Sequence, residues 1–189
     1  SLSYSQIINK NMQLMFLADV VQQTGYLSLP FHRVYFEDGS VHQENLPDKR
    51  FKIPLGMRFN YFAGDKFIFK TYYRFYTDDW GLTAHTASLE IPIKLSAFLS
   101  VSPSYRFYKQ TAADYFKPYE AHSGSEEFYT SNYDLGNFTS HFPGLNIRFS
   151  PVNGVFGIKR LNMVELRYGH YTRSNSLQSN IISLNLRFK

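Results

Sequence analysis

The sequence contains no cysteine. Disulfide frameworks, cysteine-based zinc or iron–sulfur sites and catalytic thiols are therefore excluded. The chain also lacks any run of roughly 18 consecutive apolar residues, the length that a membrane-spanning helix needs. That absence excludes helical membrane proteins but not transmembrane barrels, whose strands are apolar on one face only. Tryptophan is scarce too, since Trp80 is the single one.

Positively charged residues are in moderate excess, but they are not clustered in the sequence. The 20 Lys and Arg residues outnumber the 15 Asp and Glu residues, giving a net charge of +5. They are spread singly, with no basic run or nucleic-acid-binding motif, so we expect no nucleic-acid partner. The six histidines show no metal-ligand spacing, and no cofactor is expected. Aromatic residues are abundant instead, with 18 Phe and 15 Tyr.

The aromatic residues recur at every second position. In "KFIFKTYYRFYT", residues 66–77, Phe67, Phe69, Tyr73 and Phe75 alternate with mostly cationic and tyrosine side chains. Because successive side chains of a strand point to opposite faces, one face is aromatic and the other is cationic. The same alternation marks residues 51–61, 83–95, 98–110, 162–173 and 177–188, and more weakly residues 2–8, 12–26 and 145–150. No segment has a comparable 3.6-residue period, which predicts an all-β chain.

Strand length and the charged face together predict an antiparallel, up-and-down transmembrane β-barrel. Soluble strands cluster near about five or six residues, whereas a tilted strand needs roughly 9–11 residues to cross a bilayer, as the long segments here do. A face with frequent Lys, Arg and Glu cannot pack as a dry core, so the aromatic face is expected to contact lipid and the charged face a wet interior. The basic residues expected to line the lumen are Lys52, Arg58, Lys70, Arg74, Arg106 and Arg167.

The turns predict nine strands in a single domain, residues 1–189. The last strand carries Leu184, Leu186 and Phe188, which look like the C-terminal signal read by the barrel-assembly machinery. Bacterial single-chain barrels normally have an even number of strands. We therefore expect the chain to be the C-terminal part of a larger barrel that lacks N-terminal strands, with residues 179–187 not paired to residues 2–8.

Four stretches resemble a known family. They are "TGYLSLPFHRVYF" (24–36), "ENLPDKRFKIPLGMRFNYF" (44–62), "YYRFYTDDWGLTAHTASLEI" (72–91) and "PSYRFYKQTAADYF" (103–116). Together they resemble Gram-negative outer-membrane proteins catalogued only as a domain of unknown function, whose members are typically about twice as long. The resemblance implies a barrel in the cell outer membrane and brings no substrate or catalytic residues.

Two clusters offer catalytic or metal chemistry. "GHYTRSNS" (169–176) sets His170 near a Ser-Asn pair, as in a lipid deacylase, or else forms a polar hairpin tip. "TDDWGLTAH" (77–85) joins Asp78 and Asp79 with His85, which suits a protease-type acid–base set or a Ca²⁺ site. The alternative is an Asp-rich turn with Trp80 anchored at the membrane interface.

The long loops and the lumen suggest non-catalytic roles. Residues 111–142 combine acidic and aromatic side chains, which suits a self-packed lid, a plug or, with residues 27–48, a surface for other envelope proteins. A basic lumen would favour anions, unless its charges pair internally. We therefore expect a non-enzymatic outer-membrane barrel, acting as a channel or as an anchor and scaffold, in contact with outer-membrane lipid. The alternative is a hydrolase that uses His170 with a nearby Ser, or Asp78/Asp79 with His85.

Overall fold

The computed structural model describes residues 1–189 and consists of strands, turns and loops. The thirteen strands are β1 (Leu2–Asn9), β2 (Met12–Ala18), β3 (Val21–Thr24), β4 (Arg33–Tyr35), β5 (Val41–Gln43), β6 (Lys49–Ala63), β7 (Phe67–Asp78), β8 (Thr83–Glu90), β9 (Ile93–Lys94), β10 (Leu99–Gln110), β11 (Phe138–Phe149), β12 (Leu161–Arg173) and β13 (Gln178–Phe188). No helix in the structure could serve as a membrane span. The all-β prediction is confirmed.

Eleven of the strands form one antiparallel sheet. Nine follow one another across it in chain order, namely β1, β2, β6, β7, β8, β10, β11, β12 and β13. The short β3 pairs with β6, and the short β9 pairs with β10 and β7. Each of these strands runs antiparallel to its neighbours. The nine successive strands match the nine expected from the sequence.

The sheet is open between its first and last strands. The first strand pairs only with β2, and β13 pairs only with β12, from Leu161 opposite Phe188 to Thr172 opposite Gln178. Residues 179–187 therefore make no ladder with residues 2–8. Both edge strands present unpaired backbone groups along one side.

The period-two pattern places the two kinds of side chain on opposite faces of the sheet. We call the face that carries Arg74 and Arg106 the inner face, because its side chains enclose cavities, and the opposite face the outer face. Large apolar side chains on the outer face are strongly exposed, including Leu55 (44%), Tyr105 (45%) and Leu166 (45%). The sheet thus lacks an ordinary buried core on that side.

The compact core lies at one end of the sheet, which we call the upper end. There Leu46, Trp80, Leu82, Ala84 and Ala113 form a buried cluster. Residues 111–137, which we call the lid, pack over this end. The separate β4–β5 hairpin lies against the lid, since Phe36 bridges to His122 and Asn45 to Tyr129.

The lid and the hairpin segment are held together by buried polar contacts. The Thr130 hydroxyl donates to Glu44 Oε1 at 2.5 Å, and Glu44 Oε2 accepts from the Leu29 backbone N–H at 2.5 Å. The imidazole of His122 lies 2.5 Å from Glu126 and 3.0 Å from the Thr130 carbonyl oxygen. Satisfied polar contacts of this kind specify one arrangement of a loop.

Several sequence-based boundaries were wrong. The long loop ends at residue 137 rather than 142, because Phe138 to Phe142 pair with β10. The segment 12–26 is broken after Ala18 into β2 and β3, and the segment 83–95 is broken at residues 91–92, where Pro92 lacks the N–H that a ladder needs.

Trp80 does not stand at the lipid interface, as one reading of the turn expected. It is 3% exposed, and its indole N–H donates to the Lys49 carbonyl oxygen at 3.0 Å. Its ring is covered by the Arg50 guanidinium, 4.3 Å from the ring centroid. The indole is therefore part of the core.

Candidate functional site

A cavity of about 500 Å³ lies on the inner face in the middle of the sheet. It is built from β7, β8, β10, β11 and β12, and its lining residues are Tyr72, Arg74, Thr86, Ser88, Arg106, Tyr108, Phe138, Ser140 and Tyr171. This volume is within the range of small-molecule sites, and no carboxylate is among the lining residues. It is our candidate functional site.

The cavity exists because β8 carries small side chains inward. Thr86 and Ser88 occupy the inner positions of β8, flanked on both sides by strands that carry larger side chains at the same level. Ser140 on β11 leaves similar room. The hydroxyls form the floor, and the neighbouring strands form the walls.

The two walls carry arginine and tyrosine in opposite order. On β7, Arg74 lies opposite Thr86, and Thr86 lies opposite Tyr108 on β10. One step along, Tyr72 lies opposite Ser88, and Ser88 lies opposite Arg106. Each arginine therefore has a tyrosine at the same level on the other side of the floor.

These arginines contact aromatic rings rather than carboxylates. The Arg74 guanidinium lies 5.9 Å from the centroid of the Tyr76 ring, and that of Arg106 lies 5.1 Å from the Phe142 ring. Arg58 lies 5.4 Å from the Tyr72 ring. None of the three makes a salt bridge. Their positive charges are not neutralised within the chain.

Other predicted lumen residues differ in this respect. Lys70 pairs with Glu90 at 3.3 Å, and Arg167 pairs with Glu165 at 2.5 Å. Lys52 lies opposite Asp78 in the β6–β7 ladder. Some of the basic residues of the inner face are thus paired internally, and their lining of a lumen stays a prediction.

A smaller cavity of about 310 Å³ continues upward beneath the lid. Asp134 and Leu135 of the lid are among its lining residues, together with Arg50 and Gln110. Arg173 ties the lid down, because it lies 2.7 Å from Asp134 and 3.4 Å above the Phe138 ring. The lid therefore closes the upper side of the site.

Asp78 has a structural role in the turn that bears it. Its carboxylate accepts from Arg50 at 2.9 and 2.5 Å, from the Tyr76 hydroxyl at 2.8 Å, and from the Trp80 and Leu82 N–H groups at 3.0 and 3.1 Å. Asp79 accepts from the Phe51 N–H at 2.9 Å. The structure has no group of three or more His, Asp and Glu residues that could hold a metal ion.

The two candidate hydrolase sets are not assembled. His85 lies 2.7 Å from the Tyr73 hydroxyl on the outer face, whereas Asp78 faces Arg50 on the inner side. His170 contacts the Asn180 side chain at 2.8 Å, and no serine hydroxyl is hydrogen-bonded to it. Neither histidine has the acid or nucleophile that its hypothesis requires.

The remaining predicted residues lie at the edge of the sheet. Leu184, Leu186 and Phe188 occupy alternate positions on β13 and are exposed on the outer face. Their role as an assembly signal stays a prediction, as does a partner surface on the loops.

The tyrosines of the site were missed in the sequence. A signal for them exists, because "YRFY" occurs twice, at residues 73–76 and 105–108. In both copies the arginine and the second tyrosine point inward, as Arg74 and Tyr108 show in the cavity lining. The repeat therefore marks Arg74 on β7 and both wall residues of β10, whereas Tyr72 and Tyr171 lie outside it.

The sequence matches a family model over residues 1–181, described as "Protein of unknown function (DUF3570)". The chain belongs to this family. The resemblance noted in the sequence is thereby confirmed as far as a family of unknown function. No curated protein matches the chain.

A solved structure shares the fold of this DUF3570 chain. It is OmpTdeltaL8, a loop L8 deletion mutant of OmpT, an outer membrane protein of Vibrio cholerae, with a TM-score of 0.57 and 8% sequence identity. The alignment covers 94% of this chain and 49% of that one, so the chain spans about half the length of the matched structure. At this identity the similarity shows the fold alone, which is that of an outer-membrane β-barrel protein.

The similarity to OmpT also corrects the expectation that the protein is not an enzyme. A shared fold leaves catalysis open, because one scaffold carries unrelated functions on different side chains. The lack of a convincing catalytic motif did not justify excluding an enzyme.

Proposed function

We propose that this chain forms part of a β-barrel in the cell outer membrane, through whose basic interior anionic solutes pass. The observation that carries the proposal is the 500 Å³ cavity, into which Arg74 and Arg106 project without a carboxylate partner. Unpaired cations lining a passage lower the energy of an anion inside it and raise that of a cation.

The outer face supports the placement in lipid. Exposed apolar side chains continue across it from Leu55 on β6 through Leu89 on β8 and Leu145 on β11 to Leu184 on β13. A continuous apolar surface of this extent is unfavourable in water. In a bilayer the same surface contacts acyl chains, while the inner face keeps its charges hydrated.

The free edges of β1 and β13 support a larger assembled barrel. In lipid, each unpaired backbone N–H or C=O group costs several kcal/mol. We therefore include in the proposal that further strands cover both edges in the assembled protein. The outward row of Leu184, Leu186 and Phe188 on β13 suits recognition by the barrel-assembly machinery during that closure.

Ion selectivity tests the proposed function. The full polypeptide that carries this sequence would be reconstituted in planar lipid bilayers, and the reversal potential measured across a KCl gradient. We expect a chloride-selective current, and we expect the double variant Arg74→Gln, Arg106→Gln to lose most of that selectivity.

The control is Lys109→Gln, which removes one positive charge from an exposed position on β10 opposite His85, outside the cavity. We expect it to keep the selectivity of the natural protein. A cation-selective current in the natural protein, or equal effects of the control and the double variant, would contradict the proposal.

A further inference from the structure

The walls of the inner cavity combine charge and aromatic surface in one pattern. Tyr72 and Arg74 stand on β7, and Arg106 and Tyr108 stand on β10, with β8 between them. Adjacent strands lie roughly 4.8 Å apart, so the two walls are roughly 10 Å apart at the backbone. Side chains on both walls can thus contact one small molecule.

A simple anion would use only part of this surface. Chloride or phosphate needs cations and hydrogen-bond donors, which Arg74, Arg106, Thr86 and Ser88 provide. It makes no use of the phenol rings of Tyr72 and Tyr108, which also line the cavity. A ligand with an aromatic ring would contact both kinds of side chain, because guanidinium groups stack on aromatic faces and aromatic rings stack on one another.

We propose that the cavity is a binding site for small aromatic carboxylates. The carboxylate is held by one arginine and by the hydroxyls of Thr86 and Ser88, and the ring lies between the other arginine and a tyrosine. The cavity of about 500 Å³ is large enough for a single-ring acid. This inference rests on the proposed passage of anions and names the class of anion that the site prefers.

The distribution of ion pairs on the inner face explains why Arg74 and Arg106 are free to bind a ligand carboxylate. Elsewhere on the inner face, Glu90 and Glu165 lie close to Lys70 and Arg167 and occupy those cations. No acidic side chain lines this cavity. Asp134 lines the adjoining upper cavity together with Arg74, but it is hydrogen-bonded to Arg173. A carboxylate from solution therefore meets guanidinium groups that need not first release an internal partner.

The test compares benzoate with cyclohexanecarboxylate, which carries the same charge and a ring of the same number of carbons without aromatic character. Binding to the full polypeptide in detergent would be measured by isothermal titration calorimetry. We expect benzoate to bind about fivefold more tightly, the factor that one aromatic or cation–π contact of about 1 kcal/mol supplies. Equal affinities would overturn the inference.

Two variants assign the preference to the cavity. The double variant Tyr72→Leu, Tyr108→Leu should abolish the benzoate preference, because it removes the two rings and no charge. Arg74→Gln, Arg106→Gln should weaken both ligands. A benzoate preference that persists in the double leucine variant would overturn the inference, since detergent or another surface would then be its source.

The outcomes separate the inference from the proposed function. Chloride selectivity with equal affinities for the two acids overturns the inference and keeps the proposed function. A benzoate preference that depends on the two tyrosines, without any chloride-selective current, supports the binding site and overturns passage of anions.

Discussion

Tyr73 and His85 are hydrogen-bonded to each other on the outer face of the sheet, with 2.7 Å between the phenol oxygen and the imidazole Nδ1. Tyr105 and His141 repeat this contact between β10 and β11 at 2.6 Å. His85 and His141 lie near the upper ends of β8 and β11, which begin at Thr83 and Phe138. Amphipathic rings are favoured where lipid meets water, so we expect these histidines to lie near the membrane surface.

The depth of the outer face can be tested on β8. Leu89 lies on the same face as His85, four residues and therefore roughly 13 Å further along the strand from the upper end, which places it deeper. We expect Leu89→Arg to lower the free energy of unfolding in lipid by roughly 2–4 kcal/mol, and His85→Arg by roughly 0–1 kcal/mol. Urea titration of the protein in lipid vesicles measures both values.

Ser88→Arg is the control for the inner face. Ser88 adjoins Leu89 but lines the inner cavity, where an added guanidinium can remain hydrated. We expect a smaller loss of stability than for Leu89→Arg. Equal losses at Leu89 and Ser88 would show that the outer face does not contact lipid.

The turn that contains Asp78 should be a centre of stability. The Asp78 side chain is fully buried, and its partner Arg50 is 13% exposed. Asp78→Ala leaves a nearly buried guanidinium without its carboxylate, so we expect a loss of roughly 3–5 kcal/mol in the free energy of unfolding. Urea unfolding followed by the fluorescence of Trp80 measures it.

The adjacent Asp79 provides the matched control. It accepts one hydrogen bond, from the Phe51 N–H, and is exposed. We expect Asp79→Ala to cost about 1 kcal/mol. If the two variants were equally destabilising, the carboxylate of Asp78 would not hold the turn as the hydrogen bonds indicate.

The lid should loosen in acid because of Glu126. Although partial burial opposes the charged form, hydrogen bonds from Lys117 and His122 hold the pKa of Glu126 below its ordinary value of 4.5. The folded lid thus binds its proton less readily than the unfolded segment does. The resulting stabilisation is present above pH 4.5 and is lost as the pH falls through the lowered pKa.

Trp80 reports on this transition, because its ring contacts Tyr115 of the lid, with the ring centroids 5.9 Å apart. We expect its emission to shift to longer wavelength as the pH falls below 4.5. Glu126→Gln should remove the pH dependence of that shift, whereas Glu127→Gln, at the exposed neighbouring position, should preserve it. An unchanged shift in Glu126→Gln would assign the transition to another group.

Gly169 should be intolerant of a side chain. A Cβ atom at this position would overlap the ring of Phe142, which lies beneath the Arg106 guanidinium. We expect Gly169→Ala to lower stability by roughly 1–3 kcal/mol and to weaken anion binding by displacing Arg106. Gly124→Ala is the control, because nothing lies within 4 Å of its Cβ position. Equal stability of the two variants would contradict the packing seen here.

Much of the fold could be predicted because side-chain alternation is a local property of an extended backbone. The residues of "KFIFKTYYRFYT" by themselves determine that β7 has an aromatic face and a cationic face, and nine such segments determine the number of successive strands. Charged groups are costly to remove from water, whereas apolar rings are not. The alternation therefore also determines which residues lie together on each face.

Only the tertiary structure determines which charged side chains lack an ion-pair partner. Arg50 reaches Asp78 across 28 residues of sequence, and Arg173 reaches Asp134 across 39. The register between strands placed Arg74 and Arg106 around the small side chains of β8, and neither forms a salt bridge. Ion pairing and burial depend on which distant residues meet in space, and this is the physical reason why the sequence could indicate which arginines share one face of the sheet but not the cavity that they form.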